Sequence, residues 1–281
     1  MSENSKLSKF WVQELTRPAF EDWMENEPDP LVIIGIGAIE QHGIHLPLGT
    51  DSLGVRSFIH EIASRTNSVC IHPCWAGYSP HHMAFPGSVT FSAETLLNIL
   101  LETIESFAAH GVKRFVLVNH HGGNTNTMNL AVQIARREYK VMIATPSGPK
   151  NTETAKKIQD RMARYFEVHS GPRETAYALH YFPELVEMWR LDDWENGMLL
   201  PEEIQEFMDP DREDYELVKQ VFNASLPPNT EDITRNGQYA TSDPRKADVE
   251  EAEVSMEESI QFIVDFIKLW KSIPIPKGYR D

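Results

Sequence analysis

The chain has 281 residues, 41% of them apolar and 24% charged, and its 26 basic and 42 acidic side chains leave a net charge of −16. This length suits one large domain, or two small ones, with a sizeable core. The acidic balance argues against nucleic acid and anionic membranes as partners, because both favour a basic protein surface. Its two cysteines form no disulfide framework, and the opening residues lack a signal-peptide pattern, so we expect a cytoplasmic protein.

Short apolar runs alternate with amphipathic segments through the first half of the chain. We predict strands at residues 31–37, 68–74, 113–119 and 140–146. Helices are predicted at 51–66, between the N-cap Ser92 and Gly111, and at 124–139, with another near the end of the chain at 250–273. Continuous apolar strands separated by helices predict a mostly parallel sheet covered on both faces, in a single-domain α/β fold with three α/β/α layers.

The stretch from about 189 to 246 departs from this alternation, because it is first acidic and then loop-like. We interpret it as an excursion from one domain that spans residues 1–281. It is either a cap over the functional site or a surface insertion.

A first polar cluster follows the strand at 31–37, in the segment GIGAIEQHGIHLPLGTD. Within it lie Glu40, His42, His45 and Asp51. Glutamate, histidine and aspartate together are ligands for Zn²⁺, Mn²⁺ or Fe²⁺, and a carboxylate can bridge two such ions. The alternative is a hydrogen-bonded polar loop without metal.

A second cluster follows the strand at 113–119, where NHHGGN leads into a helix. Ligands of open α/β sheets bind at the carboxyl ends of strands, so the two clusters can face each other across one crevice. Gly122 and Gly123 would let the backbone approach a ligand closely, and the helix N-terminus offers free N–H groups.

Other local patterns are weaker. His169 and Glu174 stand before and at the start of a helix, and His81 and His82 are adjacent in a loop. The alternating residues in CIHPC, at 70–74, could form a zinc site, although buried cysteines are often only packed. The string GIGAIEQHG lacks the spacing of a dinucleotide-binding loop.

The order of five motifs resembles the creatininase (creatinine amidohydrolase) family. The motifs are GAIEQHGIHLPLGTD, FPGSV, VNHHGGN, HSGPRETA and SDPRKADVEEAEVSMEE, and they cover roughly residues 30–180 and 237–270. The resemblance implies a single α/β domain, a hydrolase with two divalent metal ions, and a homo-oligomer that is often a hexamer.

The resemblance also implies roles for individual residues. Glu40, Asp51 and His121 would hold one ion, and His42, Asp51 and Glu174 the other. His169 would move protons near the substrate, and His82 would contact the substrate. From the residues themselves, we also expect N–H groups near Gly122 to receive an oxyanion.

Two departures from the family pattern separate this chain from creatininase itself. Creatininase has a metal-binding glutamate where this chain has Gly123, and the usual HAGE reads HSGP here, with Pro172 in place of the glutamate. Glu174 would then supply the missing ligand.

We therefore expect a dinuclear metal-dependent hydrolase that opens a small cyclic substrate by attack of an activated water on a carbonyl. Cleavage of a cyclic amide C–N bond is the first hypothesis. A C–C hydrolase that acts on a cyclic polyol diketone of inositol catabolism is the alternative, and an inactive metal-dependent binding or assembly protein is the hypothesis from another class.

Overall fold

The computed structural model describes residues 7–201, 204 and 209–279. Four parallel strands form one sheet in the order β2-β1-β3-β4. The strands are β1 (Leu31–Ile36), β2 (Val69–Ile71), β3 (Arg114–Asn119) and β4 (Met142–Ala144). The expected mostly parallel α/β sheet is thus confirmed.

Eight α-helices accompany the strands in the part of the chain that the structure describes. They are α1 (Arg17–Asn26), α2 (Thr50–Thr66), α3 (Ala93–Ala109), α4 (Thr125–Glu138), α5 (Glu153–Arg164), α6 (Pro172–Tyr181), α7 (Tyr215–Ser225) and α8 (Val249–Lys271). The residues predicted to mark the two ends of α3 do so. The Ser92 side chain accepts a hydrogen bond from the N–H of Thr95, and Gly111 follows the helix with a φ of 94°.

Alternate residues of the strands enter different layers of the core. Val32, Ile34 and Ile36 pack in a cluster with α3 and α4, whereas Leu31 and Ile33 pack with α2 and α8. Because successive side chains of a strand point to opposite faces, the sheet is buried on both sides. This arrangement is the three-layer fold.

The register of the two central strands places their carboxyl ends side by side, since Ile36 of β1 pairs with Asn119 of β3. Directly after β1 the chain passes very close to the start of α2. A Cβ atom on Gly37 would lie 2.5 Å from the Cα of Ser52. The absence of a side chain at Gly37 therefore lets α2 begin beside the end of β1, and it brings Asp51 to the edge of the sheet.

The two central strands are one residue shorter than the prediction, and the two outer strands are four residues shorter. The second ends at Ile71 rather than at residue 74, because Pro73 has no N–H to donate to a neighbouring strand. The fourth begins at Met142, after Lys140 adopts a φ of 52° that no extended strand has.

The stretch 189–246 is described only in part, since 202–203 and 205–208 lie outside the described residues. Its end packs against the chain near the first polar cluster. Tyr239 pairs with His169 in an isolated antiparallel bridge, and the carbonyl of Gly237 accepts a hydrogen bond from Gln41. Its assignment as a cap stays a prediction. Among the described helices, none combines the length and apolar character that crossing a bilayer requires.

Candidate metal centre

The predicted ligand residues converge at the carboxyl edge of the sheet. Asp51 lies between two imidazoles, because its Oδ1 is 3.4 Å from His42 Nε2 and its Oδ2 is 3.4 Å from His121 Nδ1. Glu40 Oε2 is 3.2 Å from the same nitrogen of His121, and Glu174 Oε2 is 3.9 Å from His42 Nε2. The structure thus groups Glu40, Asp51 and His121 on one side, and His42, Asp51 and Glu174 on the other.

Backbone carbonyls orient the two imidazoles. His42 Nδ1 lies 3.1 Å from the carbonyl oxygen of Glu40, and His121 Nε2 lies 3.0 Å from the carbonyl oxygen of Tyr78. A carbonyl only accepts, so each of these nitrogens carries the hydrogen and donates it. The other nitrogen of each neutral ring then presents its lone pair to the carboxylates. Metal-binding histidines are oriented in this way.

The pocket satisfies two tests of fit for divalent ions. Among the described residues, Glu40 Oε2, His42 Nε2 and Asp51 Oδ2 are buried side-chain atoms without a hydrogen-bond partner. Buried polar atoms are rarely left in that state unless an ion or water completes them. The separations of 3.2–3.9 Å between these groups also suit shared coordination. Two ligands at about 2.1 Å from a tetrahedral ion are about 3.4 Å apart.

His82 differs from these two imidazoles. The Gln41 amide is oriented by its backbone partners, because Oε1 accepts from the N–H of Gly43 and Nε2 donates to the carbonyl of Gly237. The same Nε2 donates to His82 Nδ1 at 2.9 Å. His82 Nδ1 is therefore an acceptor, and Nε2 carries the hydrogen and lies 3.5 Å from Glu40 Oε1. The neutral His82 ring thus offers no free lone pair to an ion.

His169 lies where it can serve the centre. Its Nε2 is 2.7 Å from the carbonyl oxygen of Gln41 and therefore carries the hydrogen. Its Nδ1 is 3.8 Å from both Glu40 Oε1 and Glu174 Oε2. The Nδ1 lone pair can accept a proton or complete a set of ligands with His42 and Glu174. Both roles are compatible with this position.

Charge dominates the pKa values of the two oriented imidazoles. Burial opposes the charged form of His42, but the carboxylates of Asp51, Glu174 and Glu40 outweigh it and raise the pKa of His42 to about 9. Burial is likewise outweighed at His121, where the nearby carboxylates of Asp51 and Glu40 raise its pKa to about 11. In the metal-free protein these two cations offset two of the three negative charges of Glu40, Asp51 and Glu174.

His169 shows the opposite shift. Burial and the positive charge of His42 lower the pKa of His169 below its ordinary value. Its imidazole is therefore neutral near pH 7, with its acceptor nitrogen free to take a proton.

Three residues of metal-ligand type in the sequence motifs lie apart from the cluster of ligand atoms. His45 is buried, and its Nε2 lies 2.8 Å from the Thr175 hydroxyl. Cys70 and Cys74 are free thiols and belong to none of the groups of metal-ligand type in the described chain. The alternative zinc site at residues 70–74 is therefore not formed.

Gly123 has no side chain and supplies no ligand to the centre. A Cβ atom there would overlap the carbonyl oxygen of Tyr78 and Nε2 of His121. Glu174 lies on the opposite side of the cluster, at the beginning of α6. The exchange of ligand from position 123 to Glu174 stays a prediction.

Asn124 is a structural residue of the site that the sequence patterns missed. Its fully buried amide donates to the carbonyl of Gly37 at 2.9 Å and accepts from the N–H of Tyr78 at 2.8 Å. It also donates to Asn119 Oδ1 at 3.2 Å. One side chain therefore ties together the loops that follow β1, β2 and β3. The only local signal was the asparagine in NHHGGN, and its partners are too distant in sequence to be inferred.

A cavity of about 370 Å³ opens beside the centre. Asp51 and Glu174 form part of its wall, together with His120, Arg173 and Tyr177. The two residues predicted to bind substrate do not line it. His82 is buried, and Gly122 is exposed, with open space where a Cβ atom would stand.

Comparisons with known proteins identify the family of the chain. The sequence profile of the creatininase family, described as creatinine amidohydrolase, matches residues 13–267. A crystal structure of creatinine amidohydrolase (creatininase) superimposes with a TM-score of 0.70 at 22% identity and covers 95% of this chain and 100% of its own. At that identity the structural likeness shows the fold alone.

Curated relatives with several different activities also match part of the chain. The 3-dehydro-scyllo-inosose hydrolase of Thermotoga maritima is 28% identical over 60% of this chain and 56% of its own length. The mycofactocin precursor peptide peptidase of Mycobacterium ulcerans is 32% identical over 56% of this chain and 60% of its own. The creatinine amidohydrolase of Pseudomonas putida is 25% identical over 65% of this chain and 76% of its own.

The chain thus spans little more than half the length of the first two relatives. The family profile, in contrast, covers most of this chain and includes every residue of the cluster. The chain belongs to the creatinine amidohydrolase (creatininase) family of metal-dependent hydrolases.

Proposed function

We propose that this protein is a dinuclear hydrolase that opens a small cyclic amide by attack of water on its carbonyl carbon. The observation that carries the proposal is the position of Asp51, whose two oxygens face two different oriented imidazoles at the same distance of 3.4 Å. A carboxylate in this position suits a bridge between two divalent ions.

Glu40, Asp51 and His121 would hold one ion, and His42, Asp51 and Glu174 the other. Zinc and manganese both suit this set of nitrogen and carboxylate ligands. Such a pair of ions supplies a water of lowered pKa and polarises a carbonyl oxygen. Two related structures, a mutant creatininase of "Zn-Zn type" and one described as "Creatininase Mn", agree with this choice of metals.

His169 provides the proton transfers in this proposal. Its hydrogen bond to the carbonyl of Gln41 fixes the ring, and the free Nδ1 takes a proton from the attacking water. The same nitrogen returns that proton to the leaving nitrogen as the C–N bond breaks. Glu40 and Glu174, each 3.8 Å away, stabilise the cation between the two transfers.

The cavity beside Asp51 and Glu174 is the place we propose for the substrate. Its volume of about 370 Å³ is enough for a small ring and its substituents. Carboxylates and a guanidinium line it on the side of the centre, so a polar substrate suits it better than an apolar one.

A second candidate is cleavage of a C–C bond in a cyclic polyol ketone. The named activity of the Thermotoga relative favours it, because that relative is a 3-dehydro-scyllo-inosose hydrolase. The same proton relay through His169 would serve this reaction if the leaving carbon is stabilised by a neighbouring carbonyl.

The test is turnover of a panel by protein loaded with zinc or with manganese. The panel contains creatinine and other cyclic amides, cyclic polyol ketones, and short peptides as a third arm, since the mycobacterial relative is a peptidase. We expect turnover in the cyclic amide arm, lost on chelation and restored by metal. Turnover of ketones alone would favour the second candidate, turnover of peptides alone would reject both ring-opening reactions, and no metal-dependent turnover in any arm would reject the proposal.

A further inference from the structure

His120 is an unassigned histidine in the wall of the cavity beside the centre. It directly follows β3, and its backbone N–H donates to the carbonyl of Ile36 at 3.0 Å. Its ring packs against Phe58 and Tyr177, with centroids 5.2 and 5.5 Å apart. The ring is therefore held in one place, in the same wall as Asp51 and Glu174.

Tyr177 determines which nitrogen of His120 carries the hydrogen. The Tyr177 hydroxyl lies 2.7 Å from His120 Nδ1 and makes no other hydrogen bond among the described residues. A partly buried hydroxyl donates its hydrogen to the acceptor that it contacts, so we assign the O–H of Tyr177 as the donor to Nδ1. The neutral His120 ring then has its hydrogen on Nε2.

The second nitrogen of His120 opens into the cavity. Nε2 has no hydrogen-bond partner in the part of the chain that the structure describes. The buried atoms without a partner do not include it, so this nitrogen is accessible. It therefore reaches the space that His120 lines. The Arg173 guanidinium lines the same space, and its Nη2 lies 3.0 Å from Glu174 Oε1.

The α2 helix accommodates this arrangement through Gly54. A Cβ atom at Gly54 would overlap the ring and hydroxyl of Tyr177. The position of Tyr177 against His120 therefore depends on the absence of a side chain on the neighbouring helix. Three elements (α2, the end of β3 and α6) thus fix the orientation of the Nε2–H group of His120.

We propose that His120 donates a hydrogen bond from Nε2–H to an oxygen of the substrate, and that Tyr177 is the residue that positions it. This inference rests on the proposed function and deepens it. The substrate class is a small molecule with a carbonyl or hydroxyl oxygen next to the bond that breaks. An amine in that position would meet a donor and a guanidinium, and would be disfavoured.

The first test examines the tautomer and does not depend on a substrate. Zinc-loaded protein with ¹⁵N-labelled histidine is studied by long-range ¹H–¹⁵N correlation spectra, with the His120→Gln variant used for assignment. We expect the Nε2–H form for His120, loss of that fixed form in Tyr177→Phe, and its retention in Tyr181→Phe. Tyr181→Phe is a matched control, because it removes a hydroxyl from the same helix whose ring lies 5.0 Å from Tyr177. A proton on Nδ1 in the wild type would overturn the proposal.

The second test measures kcat/KM of the same variants on any substrate that the panel identifies, together with metal content. We expect His120→Leu to lose about 10- to 100-fold, since a donor to the substrate is removed. His120→Gln should recover part of the loss because its amide supplies an N–H, and Tyr177→Phe should fall between them. Equal activity of His120→Leu and wild type, at equal metal content, would overturn the contact. If the wild type turns over nothing in the panel, the proposed function fails. The contact between His120 and a ligand oxygen is then tested by adding creatine as a probe and recording the spectrum again. The Nε2–H resonance should shift in the wild type, and no shift would reject the contact.

Discussion

Among the residues that are not predicted metal ligands, Asn124 gives the sharpest test of how the site is held together. The test is its replacement by alanine. The substitution removes the partners of the Gly37 carbonyl and of the Tyr78 N–H, which are 2.9 and 2.8 Å from the amide. Leaving a buried polar group unpaired costs about 1–3 kcal/mol. Two such groups predict a loss of about 2–6 kcal/mol, a large part of a typical stability of about 5–15 kcal/mol.

The loss is measured by urea unfolding of metal-free protein, with Asn126→Ala as the matched control. Asn126 lies in the first turn of α4, whose N-cap is Asn124, but it is exposed, so we expect its replacement to change the free energy of unfolding by less than about 0.5 kcal/mol. Metal affinity should also fall in Asn124→Ala, because the Tyr78 carbonyl that orients His121 is no longer fixed. If both variants unfold at the same urea concentration, the amide does not hold the three loops together.

Three further predictions concern the centre itself. With a pKa of about 9 for His42 and about 11 for His121, both imidazoles are protonated at pH 7 without metal. Metal binding should therefore release protons, and the metal affinity should rise as pH rises towards 9. Calorimetry in buffers of different ionisation enthalpy measures the proton release, and a binding enthalpy that does not depend on the buffer would contradict it. His169→Gln should keep its metal and lose about 10²–10⁴-fold in kcat, whereas loss of one ion per chain would make His169 a ligand. Gly123→Glu should lower both thermal stability and metal content, because its Cβ overlaps the Tyr78 carbonyl, and a variant with unchanged metal affinity would contradict this.

The layers of the fold were predictable because they depend on local periodicity. Continuous apolar runs such as the one that contains β1 indicate a strand buried on both faces, and the capping residue Ser92 marks the start of α3. Strand ends were less predictable, as β2 shows, because the end depends on which backbone groups find a partner. Three helices, α1, α5 and α7, were not predicted, and α7 lies within the stretch 189–246 that was predicted to be acidic and then loop-like.

The candidate site was predictable where chemistry and sequence position coincide. Glu40 and His42 follow a buried strand, and ligand-type residues at that point indicate a site. Gln41, Asn124 and Tyr177 were not predicted as parts of it, because their contacts join residues that are far apart in sequence. Homo-oligomeric assembly and a cytoplasmic location stay predictions.

The most direct measurement is the metal content of protein purified without chelator or affinity metal, determined by elemental analysis for the wild type, Asp51→Asn and His60→Ala. His60 belongs to the same helix as Asp51 but is no member of the ligand groups found among the described residues. We predict about two divalent ions per chain in the wild type and in His60→Ala, and a loss of both in Asp51→Asn, because Asp51 faces both sets of ligands. No metal in the wild type, even after addition of zinc or manganese, or two ions retained in Asp51→Asn, would contradict a dinuclear centre bridged by this carboxylate.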